Sequence, residues 1–228
     1  VLQKISESIT NTPWEGKVWL VGGAIRDALL KGAEPKDFDL VVEGDAQPLV
    51  QHLWDSGISE IYPVVFERFG TARIQVLGEP VELVCTRQEQ YSERSRKPDI
   101  ALGTLTQDAF RRDFTVNSLF ANISSGDIAD PTGKGMADLE SEILDTPLDP
   151  EHTFSEDSLR MLRAFRFQQV LGFRLAERVV TAVRRCAPRL QIISAERIRE
   201  EFSRMMVGPN PSATIALMSE GGLLAQFL

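Results

Sequence analysis

From residue 18 to about residue 86 the chain alternates short runs of β-branched and aromatic residues with stretches of helical spacing. VWLV (18 to 21), FDLVV (38 to 42), YPVVF (62 to 66), TARIQVL (71 to 77) and VELVCT (81 to 86) read as strands, because such side chains pack well on a pleated, half-buried surface. Between them AIRDALLKG and AQPLVQHLWDSG repeat their apolar positions every three or four residues, as one face of a helix requires, and Asp45 is the expected N-cap of the second. Past about residue 150 the pattern changes. SEDSLRMLRAFRFQQVLGF, LAERVVTAVRRCA, SAERIREEFSRMM and PSATIALMSEGG all follow the helical period, with Ser155 and Ser194 as expected caps. The pattern predicts an α+β chain: a mixed sheet of about five strands with flanking helices over residues 1 to 150, then an all-helical region over 151 to 228. There is no internal repeat and no low-complexity stretch.

Composition fits this picture. A chain of 228 residues, 43% hydrophobic and 25% charged, can bury the core of one large domain or two small ones. No apolar run approaches the roughly 20 residues that cross a bilayer, and the N-terminal residues lack the regions of a signal peptide; a cytoplasmic protein with no membrane partner is expected. Cys85 and Cys186 lie far apart without CxxC or histidine neighbours, so they are expected as small core residues. His52 and His152 fall outside every motif and are expected at the surface rather than in acid-base chemistry.

Charge changes the picture more. The net charge of -8 argues against a nucleic-acid partner, yet its distribution is uneven. Residues 1 to 150 hold 14 Lys and Arg against 25 Asp and Glu, whereas 151 to 228 hold 11 against 8, and all 11 are arginine. Arginine suits planar contact with phosphates and base edges. Solvated helices laced with ion pairs would use the same residues, so charge leaves nucleic acid open.

Candidate chemistry centres on Asp37-Phe38-Asp39. Residues i and i+2 of a strand share a face, so the two carboxylates project together while Phe38 turns toward a core. Carboxylates so close repel, and a divalent cation between them relieves the repulsion. Glu82 sits between apolar Val81 and Leu83, as an acid turned out of a buried face would. Three carboxylates on adjacent strands could hold two Mg²⁺ ions, one activating an attacking hydroxyl and one neutralising a triphosphate. Gly22 and Gly23 follow a strand and open a helix, where backbone N–H groups and the helix dipole suit phosphate. A tight strand-to-helix turn would also use the two glycines, and the spacing matches neither Walker A nor GxGxxG.

These residues carry a resemblance. LVGGAIRDALL, DFDLVVEGDA, RRDFTVNSLF (111 to 120), DPTGKGMADLESEIL, EDSLRMLRAFRF (156 to 167) and SAERIREEF (194 to 202), in this order, resemble the motif series of the class II tRNA nucleotidyltransferases of the polymerase β-like superfamily, over roughly residues 18 to 206. The resemblance implies a nucleotidyltransferase head followed by a helical neck and the start of a body. It implies an enzyme joining CMP or AMP from CTP or ATP to the 3′ end of tRNA, with Mg²⁺ as cofactor. It places Asp37, Asp39 and Glu82 as metal-binding carboxylates. Gly22 and Gly23, with Arg26 and Asp27, would hold the triphosphate. Arg111, Arg112 and Asp113, with Asn117, would contact ribose and phosphates. Glu156, Asp157 and Arg160 would read the incoming base, with Arg163 and Arg166 beyond them on the same helix.

The base-reading role agrees with elementary chemistry. Asp157 and Arg160 are three apart and would neighbour each other on one helix face; one only accepts hydrogen bonds and the other only donates. Cytosine and adenine both set an amino donor beside a ring-nitrogen acceptor, whereas uracil and guanine present the reverse. The resemblance further implies a helical neck that presents this pair across a cleft, with the nucleotide in it. Several activities share these motifs. FERFGTARI (66 to 74) in place of a basic stretch favours tRNA over polyadenylation, and TRQEQYSERSRKPDIALG (86 to 103), a full loop with Arg94, Arg96 and Lys97, disfavours a CC-only enzyme; CCA addition and A addition stay open. An inert binding module would have no reason to keep the three carboxylates. Relatives continue into further helices that grip tRNA, so a chain cut before its tRNA-binding end is expected. Oligomeric state is not legible.

Overall fold

The first two apolar runs form strands at the expected residues, β1 (Val18–Val21) and β2 (Phe38–Val42), paired antiparallel with Leu20 opposite Leu40. The computed structural model describes residues 1–32, 35, 37–66, 70–90 and 99–228. It divides into two units, the first made of Val1–Arg112 and Asn117–Gly135, the second of Asp113–Val116 and Met136–Leu228. The change of pattern near residue 150 falls inside the second unit.

In the first unit, β3 (Val64–Phe66), β4 (Thr71–Val76), β5 (Glu79–Cys85), β8 (Phe120–Asn122) and β9 (Ile128–Ala129) join β1 and β2 in a seven-stranded sheet of order β3-β4-β5-β2-β1-β8-β9. This exceeds the expected strand number because FAN and IA are too short to show a period. Among the described strands of this sheet, β2 and β5 pair parallel and the other neighbours antiparallel. The β4-β5 hairpin turns through Leu77 (φ 55°) and Gly78 (φ 79°), the two left-handed residues that match the twist of the flanking strands. Residues 86 to 103, expected as a loop, include β6 (Arg87–Gln90) and β7 (Asp99–Leu102), an antiparallel pair whose polar first strand hid it. Arg94, Arg96 and Lys97, and residues 67 to 69 of FERFGTARI, lie outside the described residues.

The two faces of this sheet differ, as the alternation of side chains requires. One carries Leu20, Leu40, Val42, Ile74, Val81 and Leu83, all buried, and α3 (Gln47–Asp55) lies against β4 with Leu49, Val50 and Leu53 inward. Asp45 lies just before this helix and accepts from the Gln47 N–H at 3.0 Å. The other face carries Val21, Val41 and Phe120, packed against Ala109 and Leu105 of α4 (Leu105–Phe110). Phe38 is half-buried rather than a core residue. His52 is also half-buried, 2.9 Å from the Ser8 carbonyl and beside the Trp14 ring, which corrects its surface placement; His152 is exposed. Both cysteines are buried and free.

The second unit is mainly helical, with one short parallel strand pair, β10 (Ile143–Leu144) and β11 (Arg174–Leu175). It holds most of α5 (Gly135–Glu140). Here α6 (Pro150–Glu156) packs on α8 (Glu177–Cys186), and α7 (Leu159–Leu171) packs on α9 (Ala195–Met206) and α10 (Pro211–Glu220). Phe154, Met161, Leu162, Val179, Leu190, Met205 and Met218 form its core. The helix expected from Ser155 onward is two helices. Asp157 is extended (φ -142°, ψ 102°) and its side chain accepts from the Leu159 N–H at 3.1 Å, while the Ser158 hydroxyl donates to the Phe154 carbonyl at 3.0 Å. Local side-chain bonding of this kind competes with helix continuation. Ser155 therefore lies inside α6, whose cap is Asp149, accepting from Glu151 and His152 N–H at 3.0 and 3.2 Å, with Pro150 in the first turn. Ser194 is the N-cap of α9, as expected. No helix among the described residues is long and apolar enough to cross a membrane.

Candidate active site

The candidate residues of the first unit gather at one rim of its sheet, and register explains why. β1 ends at Val21 and passes through Gly22 into α2 (Gly23–Lys31). Leu20 faces Leu40, so one step further the end of β1 meets Asp39 near the start of β2. Asp39 pairs with Glu82 across the parallel β2-β5 ladder, and Glu82 pairs with Arg73 of β4. Asp39 and Glu82 thus share the face that carries Val41 and Val84, while Val81 and Leu83 are buried on the other; Asp37, just before β2, adds its charge to Asp39.

This clustering has an electrostatic cost. Desolvation holds the Asp39 carboxyl above the ordinary carboxylate value, Glu82 and Asp37 raise it further, and Arg112 opposes them. Among the described residues no three His, Cys, Asp or Glu groups converge as a ready-made ligand set. The donors are nonetheless hard oxygen ligands of the kind that Mg²⁺ takes, and their mutual repulsion is what a divalent cation would relieve.

The turn beside them is built around glycine and arginine. Gly22 has φ 74° and ψ -142°, a conformation essentially confined to glycine. A Cβ there would lie 3.9 Å from Arg112 Nη1, and one on Gly23 would lie 3.2 Å from Arg26 Nη2. Arg26 is 6% exposed; it donates to Asn117 Oδ1 at 2.6 Å and pairs with Asp27 at 2.8 Å. Its bonds therefore brace the turn against residue 117. Arg112 lies over the Phe120 ring at 5.1 Å and reaches the Asn117 carbonyl at 3.5 Å. Both Arg111 and Arg112 are gripped by Asp108, fully buried on α4. Burial alone would raise the Asp108 carboxyl, but Arg112 and Arg111 together hold it below the ordinary value. The motif reading missed this residue, although its place three and four positions before the arginines was visible.

In the second unit every candidate acid has an arginine. Asp113 is joined to Arg163 at 2.7 Å, Glu156 to Arg160 at 3.0 Å and Asp157 to Arg197 at 2.7 Å. Buried Glu201 takes Arg166 at 2.6 Å and Arg163 at 3.7 Å. Asp113 is the leading cause that raises the Arg163 pKa. Asp157 and Arg160 do not share one helix face, since Asp157 occupies the break before α7; this corrects the expectation of a simple i,i+3 pair. Arg160 Nη1 also donates to the Thr153 carbonyl at 3.2 Å. Sequence reading had no signal for Arg197 as the partner of Asp157.

A mixed sheet with a glycine turn, clustered carboxylates on adjacent strands and half-buried arginines held by a buried aspartate fits a nucleotidyltransferase head. The chain belongs to the family described as the poly(A) polymerase head domain, whose model matches residues 18–145, and residues 172–228 match the probable RNA and SrmB-binding site of polymerase A. It is 32% identical over 232 residues to a tRNA nucleotidyltransferase of Schizosaccharomyces pombe, covering 93% of this chain and 48% of that protein. To a CCA-adding enzyme of Anoxybacillus flavithermus it is 36% identical over 211 residues, 92% of this chain and 51% of the other. The crystal structure of the Bacillus stearothermophilus CCA-adding enzyme in complex with CTP superposes with a TM-score of 0.80 at 29% identity, over 96% of this chain and 51% of that one. The chain spans about half the length of the curated relatives it matches.

Proposed function

We propose that the protein adds CMP and AMP units, taken from CTP and ATP, to the 3′ end of tRNA without a template, releasing pyrophosphate, in the cytoplasm. The observation that carries this reading is the rim of the first unit, where Asp39, Glu82 and Asp37 crowd one another beside the Gly22 turn and Arg112. The named relatives support it: one is a tRNA nucleotidyltransferase, one is a CCA-adding enzyme, and a third was solved with CTP.

In this reading Asp37, Asp39 and Glu82 hold Mg²⁺, two ions in all, which when bound supplies Lewis-acid charge to the attacking 3′ hydroxyl and the triphosphate. The backbone N–H groups after Gly22, at the start of α2, donate to triphosphate oxygens. Arg111 and Arg112 donate to phosphates and ribose from an orientation already set by Asp108. Asn117 fixes Arg26 and, through its carbonyl, the edge of Arg112. Asp113 serves through Arg163, which it pairs. Asp157 and Arg160 read the base: each has a protein partner, but a carboxylate accepts about four hydrogen bonds and a guanidinium donates five, leaving capacity for the amino group and ring nitrogen shared by cytosine and adenine.

The test is incorporation of single nucleotides, with Mg²⁺, on tRNA transcripts ending before CCA, after the first C and after CC, with Asp39→Ala in parallel. Addition of C, C and A in order, absent in the variant, supports CCA synthesis. Addition of A alone to the CC-ended transcript makes it an A-adding enzyme, and C without A a CC-adding one. Growth of poly(A) on unrelated RNA with no addition to tRNA contradicts the proposal.

A further inference from the structure

The two arginines of RRDFTVNSLF are held by a residue outside that motif. α4 sets Asp108 three and four positions before Arg111 and Arg112, the two spacings that bring side chains together on one helical surface. Each carboxylate oxygen takes one guanidinium. Oδ1 accepts from Arg111 Nε at 3.0 Å and Nη2 at 2.5 Å, and Oδ2 from Arg112 Nε at 3.0 Å and Nη2 at 2.9 Å. A carboxylate with no exposed surface is strongly disfavoured unless paired in this way, and one acid set against two guanidiniums leaves the cluster net positive. The Arg87 N–H at the head of β6 reaches the same Oδ1 at 3.4 Å, which ties the base of the β6-β7 hairpin to the clamp. Arg112 extends from it toward the Gly22 turn.

We propose that Asp108 is a positioning residue for the nucleotide: it fixes Arg111 and Arg112 in one orientation, Arg112 beside the Gly22 turn, and links that orientation to the hairpin base. A long arginine side chain left unheld would have to be ordered each time a phosphate arrived, and Asp108 removes that entropic cost before binding. The assignment rests on the nucleotide-transfer reading above.

The experiment compares the full 228-residue chain with Asp108→Asn, Asp108→Glu, Arg112→Ala and the Asp108→Asn/Arg112→Ala double variant. A fluorescent ATP analogue gives the Kd, single-nucleotide incorporation gives KM and kcat separately, and a melting curve establishes that each variant is folded. Asp108→Asn is expected to weaken nucleotide binding about ten- to hundredfold, Asp108→Glu to recover part of the loss with kcat unchanged, and the double variant to bind no worse than Arg112→Ala alone. Folded Asp108→Asn that binds like wild type overturns the assignment, as do penalties that multiply in the double variant. Should Asp108→Asn fail to fold, Asp108→Glu decides: a raised KM at constant kcat supports the role and a wild-type KM overturns it. Wild type that binds ATP, loses binding in Asp108→Asn and extends unrelated RNA but not tRNA supports the assignment and contradicts the tRNA reading. Wild type that binds no nucleoside triphosphate overturns both.

Discussion

Acidic residues are treated differently in the two units. In the second, Asp113, Glu156, Asp157 and Glu201 each meet an arginine within 3.0 Å, and Asp145 meets Arg178 at 2.7 Å. In the first, Asp108 is satisfied twice over, but Asp39 stands against Glu82 and Asp37, and its carboxyl is pushed up rather than down. A fold under pressure only for stability would separate such carboxylates or pair them. Their retention at the rim, beside a turn that only glycine can form, marks that rim as the place where stability gives way to chemistry.

The largest effect expected from breaking this contrast is on transfer. Asp39→Asn should lower nucleotide incorporation by about a thousandfold or more, since a metal ion supplies several kcal/mol of charge stabilisation, yet leave the melting temperature equal to or above that of wild type because repulsion is relieved. A large fall in melting temperature would show that Asp39 is structural. In the second unit the same kind of change acts on stability. Arg166→Met leaves Glu201, 5% exposed, with only the longer Arg163 contact, and should cost about 3 kcal/mol in denaturant unfolding; an unchanged midpoint would mean the pair is dispensable. Gly22→Ala forces a side chain into a conformation that costs about 1 to 3 kcal/mol and should show in both melting and incorporation.

Acid titration sharpens the comparison further. The folded pKa of Asp108 lies below its unfolded value, so its contribution is fully present above the unfolded pKa of about 3.9 and is lost as pH falls through the folded pKa. Unfolding free energy measured between those values should carry a slope of up to about 1.4 kcal/mol per pH unit from this group, and a folded Asp108→Asn should lack it. The smallest effect is expected at the surface. Arg204→Ala, which removes an exposed pair with Glu200, should move stability by no more than about 0.5 kcal/mol.

What the sequence disclosed follows from how strongly each element is imposed locally. β1 and β2 were legible to the residue because VWLV and FDLVV need no partner to be recognised as strands, and their register then sets Asp39 beside the end of β1, which leads into the Gly22 turn. β6 was not, since Arg87–Gln90 is polar and becomes a strand only by pairing with β7. The break at Asp157 was hidden because the surrounding residues keep a continuous helical period, while the bonds that stop the helix are made by Asp157 and Ser158 themselves. Among the candidate site residues, spacing singled out the glycines and carboxylates. The ties of Arg163 to Asp113 and of Arg197 to Asp157 could not, because those partners lie 50 and 40 residues apart. Asp108 lies between these cases, legible as an i,i+3 and i,i+4 neighbour only once the arginines are asked what holds them.

The central claim is that the clustered carboxylates of the first unit, Asp37, Asp39 and Glu82, exist to hold a divalent cation. Calorimetric titration of Mg²⁺ into the protein with a non-hydrolysable ATP analogue, for wild type, Asp39→Asn and Glu82→Gln, tests it most directly. The account predicts saturable Mg²⁺ uptake by wild type, lost in Asp39→Asn and weakened in Glu82→Gln. Equal uptake by all three proteins would contradict it.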